Sequence, residues 1–170
     1  MTATPMAELI LETPAQLTWA DTVGVPPLAP ADHIVLLAMG GSAMAARAAA
    51  LTAAGSHAVV HVHQGYGLPA WAVARKALVV AVSYSGSTAE VLSGVRAAVE
   101  ANLPLVAVST GGTLADIARA CPAPHLAVPA GLPPRAALGY QVGATMRVLE
   151  AAGVVEEPMA ALEEAAEVVV

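Results

Sequence analysis

Residues 33–42, HIVLLAMGGS, decide the fold of this chain. The first six of them, 33–38, are an uninterrupted apolar run of strand length, and a run without alternation predicts a strand that is buried on both faces. The Gly-Gly-Ser sequence that follows is typical of a sharp turn, and an alanine-rich stretch as far as Ala54 then predicts a helix. These residues therefore predict a strand, a turn and a helix in succession.

The same unit recurs along the chain. Further apolar runs of strand length occupy residues 58–63, 77–82, 105–108 and 125–128. The helices expected after the last three of these runs extend to residue 102, over 113–120 and over 135–152. Strands that are buried on both faces and separated by helices predict an α/β protein, a three-layer αβα sandwich around a five-stranded parallel sheet. Because crossovers are right-handed, the loops after the strands gather at the carboxyl edge of the sheet, where ligands bind in open α/β folds.

Composition and charge exclude several classes of protein. The chain has 170 residues, 57% of them hydrophobic and 12% charged, which indicates one folded domain rather than a disordered segment. Its net charge is −6 and Lys76 is the single lysine, which leaves too few basic groups for binding a nucleic acid. No apolar stretch matches the roughly 20 residues of a membrane-spanning helix, and the first 11 residues carry no base typical of a secretory signal. We therefore expect a cytoplasmic protein that binds neither a nucleic acid nor a membrane.

Three of the loops at the carboxyl edge share glycines, hydroxyl side chains and a helix directly behind them. They are residues 40–42, 83–88 and 109–112, and the second carries four hydroxyls besides Tyr84. Free N–H groups at a helix start, together with hydroxyl donors, favour an anion and need no lysine. Each hydroxyl is alternatively an ordinary helix cap that contributes about 1 kcal/mol. The recurrence of the pattern on one edge favours a shared anion site.

The sequence does not match other known motifs for phosphate binding or for a catalytic nucleophile. The chain lacks the G-x-x-x-x-G-K-[ST] pattern of a P-loop and the G-x-S-x-G pattern of a serine hydrolase. The second strand ends in His63-Gln64, where a dinucleotide site has an acidic residue for the ribose. His61 and His63 alternate on one face of a strand, which is weak evidence for a metal. We expect no cofactor and no metal, and we expect His33, His57 and His125 at the edge of the sheet opposite the loops.

Four segments of the sequence carry a resemblance to a known family. They are Met39–Ala43, Ser83–Thr88 with Glu90, Ser109–Gly112 and Gly131–Tyr140. In this order they resemble the sugar isomerase (SIS) domain, and the fourth segment is similar to one branch of that family, the bifunctional phosphoglucose/phosphomannose isomerases. The resemblance implies a five-stranded sheet of flavodoxin-like strand order and a sugar 6-phosphate ligand.

The resemblance also implies roles for individual residues. The side of the site that holds the phosphate would consist of Gly41, Ser42, Ser83, Ser85 and Thr88. Arg135 would be the catalytic residue that stabilises the negative charge of an enediolate, and a guanidinium suits that role because it stays charged. Without the resemblance, Arg135 reads as a solvent-exposed arginine at the start of a helix.

The expected domain organisation combines local sequence patterns with this resemblance. We expect an N-terminal helix and connector over residues 1–30, with Thr13 as helix cap, Gln16 as its capping-box partner and a helix end near Asp21. The SIS domain would span 31–153, and 154–170 would be a linker helix, its glutamates solvated, toward a second SIS domain that is absent.

The enzymes of this branch have two SIS domains, and their base comes from the second. We therefore expect the N-terminal domain of an isomerase of glucose 6-phosphate and mannose 6-phosphate, a homodimer that binds sugar phosphate with little or no turnover alone. Two alternatives stay open: a non-catalytic module that senses a sugar phosphate, and a domain that only dimerises.

Overall fold

A computed structural model describes residues 6–168 of the chain. Residues 1–5 and 169–170, the outer ends of the predicted segments 1–30 and 154–170, lie outside the described residues. The strands are β1 (His33–Ala38), β2 (Val59–His63), β3 (Leu78–Val82), β4 (Leu105–Ser109) and β5 (His125–Ala127). The helices are α1 (Met6–Leu11), α2 (Thr13–Thr18), α3 (Gly40–Thr52), α4 (Ala70–Ala74), α5 (Ala89–Glu100), α6 (Gly112–Ala120), α7 (Leu138–Ala151) and α8 (Pro158–Val168), with 3₁₀ turns at Trp19–Thr22 and Pro134–Ala136.

The five strands form one parallel sheet in the order β2-β1-β3-β4-β5. The order reverses between β1 and β3, so the segments that follow these two strands, residues 39–42 with the start of α3 and residues 83–88, lie side by side at the carboxyl edge. Strands β3 and β4 are buried throughout, as their continuous apolar sequences predict, whereas the edge strand β2 is partly exposed. The predicted α/β fold with a five-stranded parallel sheet is confirmed.

Alternate residues of each strand separate two apolar layers. On one face, Leu36 and Val80 belong to a cluster with α3, α7 and α8. On the other face, Val35 and Val79 belong to a cluster with α4, α5 and α6. Helices therefore cover both faces of the sheet, and because the chain contains no phenylalanine, aliphatic side chains fill most of the core.

The N-terminal segment differs from its prediction. Thr13 is the first residue of α2, its hydroxyl donates to the Ile10 carbonyl at 2.7 Å, and no side chain of the described residues caps this helix. Gln16 is fully buried, and its amide contacts Ala136 and Gly139, more than a hundred residues along the chain. The capping-box prediction is wrong because Gln16 joins two distant elements, which local spacing does not reveal.

Helix α8 packs back onto the domain. Leu162 and Ala166 are buried against the layer that contains α2 and α7, while Glu163, Glu164 and Glu167 are exposed as predicted. None of the helices within residues 6–168 combines the length and the apolar character that a bilayer-spanning helix needs.

Candidate functional site

A small cleft opens at the carboxyl edge of the sheet between the N-terminus of α3 and the loop that leads into α5. Its volume is about 230 Å³. Four of the five residues predicted to hold a phosphate line it, and the fifth, Ser83, is buried with its Oγ 2.9 Å from the Oγ1 of Thr88. The residues that line the cleft are Met39, Gly40, Gly41, Ser42, Tyr84, Ser85, Thr88 and Pro134.

Two helix N-termini face this region. Helix α3 follows Met39 and helix α5 follows Thr88, and neither has a side-chain cap among residues 6–168. The first-turn N–H groups of a helix have no acceptor within that helix, and the helix dipole adds a partial positive charge there. The alternative interpretation, in which the serines and threonines serve as caps of these helices, therefore does not hold for α3 and α5. The cleft offers donors to an anion instead.

The hydroxyl of Ser42 is part of a buried hydrogen-bond network. Its Oγ donates to Oε1 of Gln141 at 2.6 Å and accepts the backbone N–H of Tyr84 at 3.2 Å. The first contact reaches α7 and the second reaches the loop after β3, so Ser42 fixes the start of α3 against both neighbours. The sequence pattern identified Ser42 and missed Gln141.

The loop after β3 is held by the loop after β4. Gly86 has a φ of +66°, and a Cβ there would lie 1.8 Å from the carbonyl oxygen of Gly111. The carbonyl of Gly86 accepts the backbone N–H of Leu114 at 2.8 Å. Glycine is required at position 86 because the two loops touch backbone to backbone. Ser85 is left exposed above this contact, and its Oγ accepts the Ser87 N–H at 3.3 Å.

The third predicted anion loop, residues 109–112, has a supporting role in the structure. The Thr110 hydroxyl donates to the Tyr84 carbonyl at 2.8 Å, and the Ser109 hydroxyl donates to the Gly111 carbonyl at 2.9 Å. Both hydroxyls are thus engaged within the protein. Thr110 holds the loop that lines the cleft, and Ser109 orders its own loop.

His125 does not lie at the edge where the sequence analysis placed it. Its Nε2 is 2.9 Å from the Oγ of Ser109, at the carboxyl end of β4. Strand β5 has only three residues, and His125 pairs in register with Ala107, two residues before the end of β4. The prediction is wrong because β5 begins level with the middle of β4, and from there the His125 ring reaches Ser109 at the carboxyl end of that strand.

Arg135 lies in the 3₁₀ turn beside the cleft. Pro134 forms part of the cleft wall, and the Arg135 backbone is 3.7 Å from the position of a Cβ built on Gly41. The Arg135 side chain is exposed. The structure therefore brings the turn that carries the predicted catalytic arginine next to the predicted phosphate residues.

Tyr84 clamps the segment that leads to this turn. Its hydroxyl donates to the Pro129 carbonyl at 3.0 Å and accepts the N–H of Leu132 at 3.1 Å. The sequence pattern predicts no role for Tyr84. A buried tyrosine indicates only that its hydroxyl needs a hydrogen-bond partner, so the sequence does not reveal that Tyr84 holds the segment before the turn.

His61 and His63 lie on the edge strand β2, and neither lines the cleft. The ring of His61 packs edge-on against Trp71, with centroids 5.8 Å apart, and lies 6.4 Å from the ring of His63. The contacts of the His61 ring are therefore aromatic packing contacts.

The fold and this site define an open α/β domain with a hydroxyl-lined cleft at the point where the strand order reverses. Comparison with known families identifies the domain further. The SIS domain family matches residues 27–154, and the chain belongs to that family.

Curated relatives include enzymes that act on phosphorylated sugars. The bifunctional phosphoglucose/phosphomannose isomerase of Caldicellulosiruptor bescii is 34% identical over 138 residues, which cover 81% of this chain and 40% of the relative. The D-glucosamine-6-phosphate 4-epimerase of Sulfolobus acidocaldarius is 40% identical over 75 residues, which cover 44% of this chain and 24% of the relative. The chain thus spans about 40% of the length of the first relative.

Solved structures share the fold at low sequence identity. The C-terminal domain of glucosamine-fructose-6-phosphate aminotransferase from Francisella tularensis has a TM-score of 0.62 at 16% identity. The match covers 95% of this chain and 52% of that domain's chain. The Vibrio vulnificus NanR protein, complexed with ManNAc-6P, has a TM-score of 0.59 at 19% identity, and the match covers 96% of this chain and 67% of the NanR chain. Both support the three-layer architecture described above.

Proposed function

We propose that this chain is the N-terminal, sugar-phosphate-binding domain of an aldose–ketose isomerase that converts glucose 6-phosphate and mannose 6-phosphate into fructose 6-phosphate. The observation that carries the proposal is the cleft, in which Gly41, Ser42, Ser85 and Thr88 meet beside two helix N-termini. The names of both curated relatives support it, because each names a phosphorylated hexose.

The phosphate would bind between α3 and α5. The N–H groups of their first turns and the hydroxyls of Ser85 and Thr88 donate to it, and Ser83 holds the Thr88 hydroxyl in place. Hydrogen bonds to a charged group contribute roughly 1.5–3 kcal/mol each, so a few of them hold a dianion without a lysine.

The sugar would extend from the phosphate toward Arg135. A proton that moves between C1 and C2 of the sugar leaves a negative charge on an enediolate oxygen in the intermediate. A guanidinium stabilises that charge because it is cationic at every relevant pH and presents several donors. Arg135, on the turn that adjoins Gly41, is in the right region for this role.

The general base would come from outside this cleft. Proton transfer between carbons needs a general base within hydrogen-bonding reach of the substrate, most often an imidazole or a carboxylate. None of the described residues that line the cleft carries either group. The hydroxyl of Tyr84 is already bonded to Pro129 and Leu132. Because the chain spans about 40% of the C. bescii relative, we assign the base to a further part of the parent protein. The second SIS domain and the homodimer stay predictions.

Calorimetry on the chain tests the proposal. We expect glucose 6-phosphate and mannose 6-phosphate to bind, and unphosphorylated glucose at the same concentration to give no heat. A bound ligand also raises the melting temperature, since at 100 times its dissociation constant it stabilises the native state by about 2.7 kcal/mol. Equal heats with glucose and glucose 6-phosphate, or no heat with either, would refute a phosphate-directed site.

A further inference from the structure

Gln141 is a fully buried polar residue on α7 that has no role in the proposal so far. Its relative exposure is 0%, and its neighbours Val142 and Ala144 are buried and apolar. Burying an amide is unfavourable unless each of its hydrogen-bonding groups finds a partner. The partners of Gln141 therefore indicate what it does.

The amide nitrogen of Gln141 holds the turn that carries Arg135. Nε2 lies 3.3 Å from the carbonyl oxygen of Pro134 and 3.2 Å from that of Ala137. These two carbonyls stand on either side of Arg135 in the sequence. Since the Arg135 side chain is exposed, the backbone of this turn decides where the guanidinium can reach.

The amide oxygen of the same side chain holds Ser42. Carbonyl oxygens only accept, so the two Nε2 hydrogens must face Pro134 and Ala137, and Oε1 must face Ser42. The Ser42 hydroxyl already accepts the N–H of Tyr84, and its one hydrogen goes to Oε1 at 2.6 Å. One side chain thus joins the N-terminus of α3 to the Arg135 turn.

We propose that Gln141 is a positioning residue that sets the Arg135 turn against the start of α3 and thereby determines the preference for a sugar phosphate over free phosphate. The inference rests on the proposed function, in which α3, α5, Ser85 and Thr88 hold the phosphate and Arg135 meets the sugar. Removal of the Gln141 amide releases the turn, whereas the start of α3 keeps its contact with the loop after β3 through Ser42 and Tyr84, so the donors to the phosphate stay in place.

The test is Gln141→Met, which keeps the length of the side chain and removes its hydrogen bonds. Thr145→Val is the matched control: Thr145 is equally buried one turn along α7, and its Oγ1 donates to the Gln141 backbone carbonyl at 2.7 Å. We expect Gln141→Met to weaken glucose 6-phosphate binding about tenfold, as for one lost bond to a charged group. Affinity for inorganic phosphate should change less than about twofold, whereas a general loosening of the fold would weaken both probes alike.

A second measurement needs no ligand. Trypsin cleaves after exposed arginines in mobile backbone, and Arg119 on α6, with 75% of its side chain exposed, serves as an internal reference. We expect Gln141→Met to raise cleavage after Arg135 relative to cleavage after Arg119, and Thr145→Val to leave that ratio unchanged. If Gln141→Met does not fold, Gln141→Asn retains an amide that is too short to reach both the carbonyls and Ser42, and we expect the same ratios.

Each outcome decides one of the two proposals. If wild type binds glucose 6-phosphate and the Gln141 variants match Thr145→Val in affinity and in cleavage, the inference about Gln141 is wrong and the proposed function stands. If wild type binds neither glucose 6-phosphate nor inorganic phosphate, the proposed function fails, and the preference assigned to Gln141 fails with it. The cleavage ratio then shows whether Gln141 holds the turn at all.

Discussion

At the scale of single residues, the hydroxyl of Ser85 is the donor in the cleft that can be removed with least damage to the fold. Ser85 is exposed, and its Oγ accepts the N–H two residues along the chain at 3.3 Å. Ser56 makes the same contact with Ala58, also at 3.3 Å, before β2 at the other edge of the sheet. We expect Ser85→Ala to weaken binding of glucose 6-phosphate about tenfold, and Ser56→Ala to leave it unchanged, both measured by calorimetry. Equal affinities for the two variants would remove Ser85 from the phosphate site.

Gly86 and Gly67 separate the effect of backbone strain from that of close packing. Their φ angles are +66° and +70°, but a Cβ on Gly86 would lie 1.8 Å from the Gly111 carbonyl, whereas one on Gly67 would meet nothing within 4 Å. We expect Gly67→Ala to lower the free energy of unfolding by about 1–2 kcal/mol through strain alone. Gly86→Ala should lower it by about 1–3 kcal/mol more, because backbone cannot yield as a flexible side chain can.

Denaturant unfolding of the two alanine variants measures this difference. The two loops separate if the added Cβ forces them apart, so Gly86→Ala should also lose affinity for glucose 6-phosphate. A Gly86→Ala variant as stable as Gly67→Ala would show that the two loops are not in contact in solution.

At the scale of elements, helix α8 is the part whose attachment is easiest to test. Leu162 is 2% exposed on α8, and Leu51 is 74% exposed on α3. We expect Leu162→Ala to lower the free energy of unfolding by about 2–5 kcal/mol, because it leaves a cavity against the α2–α7 layer. Leu51→Ala, the same change in an exposed position, should stay within about 0.5 kcal/mol of wild type. If both variants unfold at the same denaturant concentration, α8 does not dock as described.

The sequence predicts the sheet better than it predicts the connections between the strands. Strand β1 occupies the predicted residues 33–38, because a central strand is buried on both faces and has an unmistakable apolar sequence. Helix α4 was not predicted, since its five residues are too few to show a helical period. The sequence pattern therefore predicts an element only where the element is long enough to show its own hydrophobic period.

The residues of the candidate site likewise fall into those that the sequence predicts and those that it does not. Glycines and hydroxyls before a helix are local signals, so Ser42, Ser85 and Thr88 are found from the sequence and the structure gathers them at one cleft. The roles of Gln16 and Gln141 are not found, because Gln16 bonds to Ala136, 120 residues away, and Gln141 bonds to Ser42, 99 residues away. Long-range polar contacts leave no periodic trace in a sequence.

At the scale of the whole molecule, the cleft has a well-ordered floor for binding a ligand, but its described lining residues supply no carboxylate or imidazole as a base. Residues from the start of α3, from the loop after β3 and from the turn before α7 meet there, at the point where the strand order reverses. The polar network of Ser42, Tyr84 and Gln141 makes that floor rigid before a ligand arrives. A binding site that is organised in advance favours affinity, but proton transfer requires a base in addition.

The last prediction separates binding from turnover. In D₂O, an enediol intermediate exchanges the C2 proton of glucose 6-phosphate, and NMR detects both that exchange and the appearance of fructose 6-phosphate. We expect neither above the rate in buffer, even at concentrations that saturate the chain, because no described residue that lines the cleft carries a carboxylate or an imidazole. Turnover that disappears in Ser85→Ala and persists in Ser56→Ala would place a base within this chain and would contradict the assignment of the base to a further part of the parent protein.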